Sequence, residues 1–183
     1  MILKTLKIFS QNVCKNRLLT DTILENNKDF DILFIQESLW SIICTILSSI
    51  SEEEEEVVKA SNHPSWIMFT RYSHSNNEHP RVLTYINIIL IKLHFSLQKD
   101  ILNHEDINLI LFFNHGIMCF IINVYSDDQQ STLKHLKNTK VNSNNVLIMI
   151  GGFNIKDNNW NPLYLYHSTY VVLYQKTLFP KNM

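Results

Sequence analysis

Glycine, proline and cysteine are all scarce in this chain of 183 residues. It has 3 glycines and 4 prolines, so few turns can use the positive φ that glycine accepts without strain. The loops must therefore depend on Asn, Asp and Ser. The 3 cysteines, at positions 14, 44 and 119, form no CxxC pair. This number and spacing predict neither a disulfide framework nor a zinc site, and we expect small buried thiols in a reducing compartment.

The chain also lacks a strong charge of either sign and a long apolar run. Its formal net charge is -1, which gives no support for strong binding of phosphates, although the distribution of charge matters more than its sum. The N-terminal segment MILKTLKIFSQNV has no uninterrupted apolar core and no signal-peptide cleavage site. No stretch is long enough to span a membrane. We therefore expect an intracellular protein, nuclear or cytoplasmic, without a membrane partner.

What the chain does contain is the composition of a single globular domain, which we predict to span 1–183. Hydrophobic residues make up 45% and charged residues 18%. Apolar periodicity predicts a strand over 6–13, a helix over 17–27 and a buried strand over 31–36, which form a β-α-β unit with parallel strands. The segment 38–50 predicts a helix or an irregular cover, and the glutamates 52–56 predict a solvated loop or a frayed helix end.

The rest of the chain predicts mostly strands. We expect short strands over 66–70 and 81–90, separated by a polar loop over 72–80. The apolar runs 107–113 and 117–125 flank an Asn-His-Gly turn and predict a hairpin. A polar helix and a buried strand follow, over 129–140 and 145–150. This order of elements predicts a layered α/β or α+β domain.

Polar residues lie at or shortly after the C-terminal ends of four of the predicted strands. They are Asn12, Glu37, Tyr125 and Asn154. Polar groups at the carboxyl ends of strands in layered α/β folds tend to line one crevice, so these four could converge. Each also has a simpler interpretation. The two Asn residues could serve turns, Glu37 could lie at a helix N-terminus, and Tyr125 could pack with its hydroxyl at the surface.

The motifs around these residues resemble those of the endonuclease/exonuclease/phosphatase family, most closely the nicking domains of non-LTR retrotransposons. The motifs are SQNV, FIQE followed by Trp40, NVY, and GGFN with Trp160 downstream, in this order over about residues 4–170. The resemblance implies a layered β-sandwich flanked by helices, as in deoxyribonuclease I. It also implies a phosphodiesterase that uses Mg²⁺ or Mn²⁺ and nicks target DNA for retrotransposition.

The resemblance further implies roles for the individual residues. Glu37 and Asn12 would hold the metal, since a hard cation prefers carboxylate and amide oxygens. The Tyr125 hydroxyl and the Asn154 side chain would contact the phosphate and stabilise the charge that develops on it. Arg81, which follows Pro80, is a further candidate for a substrate contact.

The chain departs from the family pattern in two places. Gly152 stands where the family motif GDFN has its Asp, and a glycine can neither accept a proton nor hold a water molecule. The Ser-Asp-His motif that supplies the family's catalytic His does not occur, so we expect an incomplete domain whose C-terminal part is missing. We therefore expect little or no nuclease activity. The alternative is a non-catalytic remnant that binds nucleic acid or protein.

Overall fold

The computed structural model describes residues 6–47, 54–71, 79–114, 117–126, 129, 131–139, 146–153 and 169–174. Its elements are, in chain order, β1 Ile8–Asn12, α1 Arg17–Asn26, β2 Ile32–Gln36, β3 Ser41–Leu47, β4 Glu54–Lys59, β5 Trp66–Phe69, β6 Val82–Asn87, a 3-10 helix Ile88–Leu93, β7 Ser96–Leu97, β8 Ile107–Asn114, β9 Ile117–Ser126, α2 Ser131–Asn138, β10 Val146–Phe153 and β11 Thr169–Tyr174. No helix among these residues is long and apolar enough to cross a membrane.

The N-terminal β-α-β unit is confirmed. β1 and β2 pair in parallel, and α1 makes the connection between them. The side chain of Asn16 accepts a hydrogen bond from the backbone N–H of Leu19 at 3.0 Å, which satisfies one of the free donors in the first turn of α1. Ile23 and Leu24 are buried against Leu33 of β2. This apolar stripe holds α1 on the outer face of the sheet.

Two mixed sheets pack face to face. The first has the strand order β1-β2-β6-β5 and the second β11-β10-β9-β8-β7. The core between them is formed by apolar side chains from both sheets, which include Ile32, Phe34, Ile86, Ile110, Ile121 and Ile150. α2 packs its Leu136 against the outer face of the second sheet. The predicted layered architecture is therefore confirmed: helices flank a sandwich of two sheets.

The predictions for 38–50 and 52–56 are wrong where the structure describes these segments. The segment expected to form a helix or an irregular cover contains β3, and the described part of the glutamate run, Glu54–Glu56, lies in β4. β3 and β4 pair antiparallel as a separate two-stranded sheet. Glu disfavours strands only weakly, and pairing with the Ile-rich strand β3 outweighs that preference, although the register shifts between Ile42 and Cys44.

Several other bounds differ from those predicted. The strand expected over 81–90 ends at Asn87, whose side chain accepts a hydrogen bond from the backbone N–H of Ile89 at 3.2 Å and so begins the 3-10 helix. β10 continues to Phe153 because its backbone remains paired with β9 as far as Ser126. The sequence indicated no element where β11 lies, and most of the predicted loop, 72–78, lies outside the described residues.

Of the remaining predictions, some are confirmed and one is not. The strand at 66–69, the hairpin of β8 and β9, and helix α2 are confirmed. Cys119 is buried as expected, but Cys14 is exposed because it lies in the turn after β1 rather than in a strand. The side chain of Cys44 lies outside the described ones.

Tyr85 makes a testable contribution to the first sheet. Its hydroxyl is fully buried and donates a hydrogen bond to the backbone oxygen of Ser61 at 2.6 Å. Burial raises the pKa of Tyr85 above its ordinary value. Tyr85→Phe should lower the free energy of unfolding at pH 7 by about 1–2 kcal/mol, because the Ser61 carbonyl loses its donor.

The same substitution should change the response of the protein to alkali. In the unfolded chain the tyrosine ionises near pH 10, while in the folded chain it stays neutral to higher pH. The Tyr85 contribution is therefore fully present below about pH 10 and is lost as the pH rises further. Urea unfolding of both proteins between neutral pH and pH 11 checks this. A stability difference that stays constant above about pH 10 would contradict it.

Candidate functional site

The ends of β1 and β2 bring together two of the predicted site residues. Asn12 is the last residue of β1, and Glu37 directly follows β2. The Asn12 Nδ2 donates a hydrogen bond to the Glu37 Oε1 at 3.0 Å, and the Asn12 Oδ1 accepts one from the backbone N–H of Cys14 at 2.9 Å. Asn12 is thus both a turn residue and the partner of Glu37.

The backbone around Glu37 is strained. Of the four non-glycine residues with positive φ among those described, three lie here: Cys14 at 48°, Lys15 at 57° and Glu37 at 50°. The backbone N–H of Lys15 donates to the backbone oxygen of Glu37 at 2.7 Å, which joins the two strained segments. Such conformations cost about 1–3 kcal/mol each and cluster at functional sites. No helix begins at Glu37, so its interpretation as a helix N-terminal carboxylate is wrong.

The second sheet contributes Tyr125 and Gly152 to the same region. They are register partners in the parallel pair of β9 and β10. A Cβ atom at position 152 would lie 3.7 Å from the Cδ2 of Tyr125 and 3.9 Å from the Cγ of Gln36. Because Gln36 immediately precedes Glu37, position 152 faces the strand that leads to the Asn12–Glu37 pair. Asn154 lies outside the described residues.

Arg81 and Asp106 support Tyr125. The Arg81 Cζ lies 4.6 Å from the centroid of the Tyr125 ring. The Arg81 Nε donates to the Asp106 Oδ1 at 2.8 Å, and its Nη2 donates to the Oδ2. The Asp106 side chain is fully buried, and its backbone oxygen accepts from the N–H of Tyr125 at 3.0 Å. The buried carboxylate thus directs the Arg81 guanidinium onto the ring face.

A buried polar bridge connects the two sheets beneath the site. The Gln36 Nε2 donates to the Asn123 Oδ1 at 2.8 Å and to the Ser10 Oγ at 3.1 Å. The Asn123 Nδ2 donates in turn to the backbone oxygen of Leu83 at 2.8 Å. These bonds fix the end of β2 relative to β9, and therefore Glu37 relative to Tyr125. Buried networks of this kind specify one arrangement because an unpaired member is costly.

Sequence reasoning missed the roles of Asp106 and Asn123. Asn123 and Gln36 belong to the motifs NVY and FIQE, but nothing in the sequence indicated that they contact each other across 87 positions. Asp106 immediately precedes β8 and carried no local signal. Only the packing of the two sheets brings these side chains to their partners.

The residues at the site fit a hard divalent cation. Within the described ranges, no three Asp, Glu, His or Cys side chains converge. Mg²⁺ is commonly held by one or two carboxylates together with water and substrate phosphate. Glu37 is half-buried and is oriented by the Asn12 amide, which meets the need for one preorganised carboxylate.

Comparison with solved structures identifies the type of fold. No family model matches the sequence, and no curated protein matches it. Among solved structures, the endonuclease domain of TRAS1, a telomere-specific non-LTR retrotransposon, superposes with a TM-score of 0.53 at 13% identity, over 80% of this chain and 59% of that one.

Two further structures give lower scores. An endonuclease/exonuclease/phosphatase family protein from Leptotrichia buccalis has a TM-score of 0.45 at 17% identity, over 80% of this chain and 66% of that one. A humanised TDP2 of D. rerio has a TM-score of 0.41 at 15% identity, over 83% and 63%. The chain spans less than two thirds of the length of each of the three. With its helix-flanked sandwich and its likeness to the TRAS1 domain, this chain has a deoxyribonuclease I-like α/β sandwich fold.

Proposed function

We propose that this chain is a nuclease-like domain that binds the phosphodiester backbone of DNA together with Mg²⁺ or Mn²⁺, and hydrolyses it slowly or not at all. One observation carries the proposal. The Asn12–Glu37 pair is intact at 3.0 Å, while Gly152 on the facing sheet has no side chain. The binding groups are thus present and a carboxylate is missing. The domain would be a degenerate form of an endonuclease that nicks target DNA for retrotransposition.

Each residue has a distinct part in this proposal. Glu37 holds the cation, with Asn12 orienting its carboxylate. The Tyr125 hydroxyl and, by the family resemblance, Asn154 contact the phosphate. The cation neutralises charge on the phosphate oxygens when it is bound. Arg81 acts on Tyr125 by packing on its ring.

The missing carboxylate is the reason that we expect a low rate of hydrolysis. Among the residues that the structure describes, the side chains nearest to position 152 are those of Tyr125 and Gln36. An amide is not a base, and a phenol is protonated at neutral pH, so neither activates water. Loss of a general base commonly lowers a rate by about 100- to 10,000-fold. Binding, which depends on Glu37 and its partners, does not require that base.

The test compares DNA binding and nicking in Mg²⁺ and in EDTA. We expect Mg²⁺ to tighten binding of a fluorescent oligonucleotide to the wild-type chain by about 10-fold, which corresponds to about 1.4 kcal/mol. Glu37→Gln should remove this gain. Glu25→Gln changes an exposed carboxylate on α1 and should keep it. Plasmid nicking by the wild-type chain should be slow or absent.

Two results would count against the proposal. If Mg²⁺ leaves the affinity of the wild-type chain unchanged, Glu37 does not hold a cation that supports DNA binding. If the wild-type chain nicks plasmid rapidly in Mg²⁺ and Glu37→Gln does not, the site is a working nuclease and the assigned defect at Gly152 is wrong.

A further inference from the structure

A cavity of about 460 Å³ opens beside Glu37. Ser38 and Lys15 line this cavity, and both adjoin the candidate site. Ser38 follows Glu37 in sequence, and the backbone N–H of Lys15 donates a hydrogen bond to the backbone oxygen of Glu37 at 2.7 Å. Its volume is in the range of about 300–1,000 Å³ that is typical of small-molecule sites. A group attached to a phosphate at Glu37 could therefore enter it.

Two aromatic rings line this cavity and are held in place. Trp40 and His79 stack with their ring centroids 5.5 Å apart and their planes at 27°. The Trp40 Nε1 donates to the backbone oxygen of Pro80 at 2.9 Å, and the Ser38 Oγ donates to the same oxygen at 3.3 Å. The ring of Trp40 is thereby fixed before any ligand binds, which reduces the entropy lost on binding.

Charged groups surround the aromatic pair. The exposed Lys15 and the half-buried Arg81 line the cavity together with one carboxylate, Glu105. The fork of Arg81 is held by Asp106, so its position is fixed as well. Proteins bind single-stranded nucleic acid by combining aromatic rings, on which the bases stack, with cationic side chains, which contact the phosphate backbone.

We propose that this cavity is a subsite for one unpaired nucleobase next to the phosphate bound at Glu37. The inference rests on the proposed function, because the neighbouring phosphate determines which base reaches the cavity. A base inside a duplex is stacked and paired, and freeing it costs a few kcal/mol. The domain therefore selects single-stranded or locally unpaired DNA over intact duplex.

The experiment compares a fluorescent oligothymidylate with an abasic oligomer of the same length and phosphate charge, both in Mg²⁺. The wild-type chain should bind the oligothymidylate about 5- to 150-fold more tightly, since stacking of one base on an aromatic side chain has this effect. Trp40→Leu should bring the two affinities close together. Trp40→Phe keeps a ring and should retain most of the difference, as should Lys134→Ala on α2.

Urea unfolding of each variant establishes that it is folded, and His79→Leu provides a second test if Trp40→Leu is not. Equal affinities of the wild-type chain for the two oligomers would overturn the subsite. The proposed function would then still stand if Glu37→Gln weakens Mg²⁺-dependent binding of the abasic oligomer. Conversely, a base preference that depends on Trp40, together with Mg²⁺-dependent binding of both oligomers that Glu37→Gln leaves unchanged, would support a base-binding cavity and contradict the proposed cation site.

Discussion

Gly152→Asp is expected to raise Mg²⁺-dependent plasmid nicking by about 100-fold or more over the wild-type chain, because it restores a carboxylate that can activate water. The substitution is sterically possible. Among the described residues, the nearest atoms to a Cβ at this position are the Tyr125 Cδ2 at 3.7 Å and the Gln36 Cγ at 3.9 Å, which are ordinary van der Waals contacts. The new carboxylate would belong to a residue of β10, which pairs with β9, and Tyr125 is the register partner of that residue.

Gly152→Asn is the matched control for this prediction. Asn has nearly the same shape as Asp but carries no carboxylate, so it should leave the nicking rate at the wild-type level. The double variant Glu37→Gln with Gly152→Asp should also be inactive, because the cation site is lost. A first-order nicking rate from gel densitometry measures all four proteins. Equal rates for Gly152→Asp and Gly152→Asn would show that the missing carboxylate does not limit the reaction.

Gly151→Ala, at the residue next to Gly152, adds only one methyl group. It is nevertheless expected to lower the free energy of unfolding by about 3 kcal/mol. A Cβ at this position would lie 2.0 Å from the backbone oxygen of Val124. Val124 is fully buried in β9, which pairs with β8 on its other side, so its carbonyl has little room to move. The strands β9 and β10 would have to separate locally, and a loss of about 3 kcal/mol is a large part of the usual stability of a domain.

Gly152→Ala serves as the control, since the described atoms that a Cβ there meets belong to side chains and lie at normal distances. We expect it to change the free energy of unfolding by less than about 0.5 kcal/mol. Urea unfolding followed by circular dichroism gives both values. If Gly151→Ala is as stable as Gly152→Ala, then β9 and β10 do not approach each other as closely as described.

The sequence predicted the elements whose signals are local. The β-α-β unit was predicted because the apolar run of β2 and the helical spacing of the apolar residues in α1 are both visible within a few residues. β3 and β4 were not predicted, since their strand conformation depends on pairing with each other. β11 was not predicted either, because its strand conformation also depends on pairing, in this case with Leu147–Gly152 of β10.

The candidate site also combines features that the sequence predicted with features that only the structure shows. The resemblance of the ordered motifs to a known family made Asn12, Glu37 and Tyr125 candidate site residues and marked Gly152 as a departure from that family's pattern. Only the tertiary structure shows that Asn12 bonds to Glu37 and that the guanidinium of Arg81 lies on the Tyr125 ring. Residue types and short-range patterns are encoded locally, whereas these contacts arise when the two sheets pack and bring distant strand ends to one edge. The chain alone therefore determined which chemical groups are available, and the packing of the two sheets decided which of them meet.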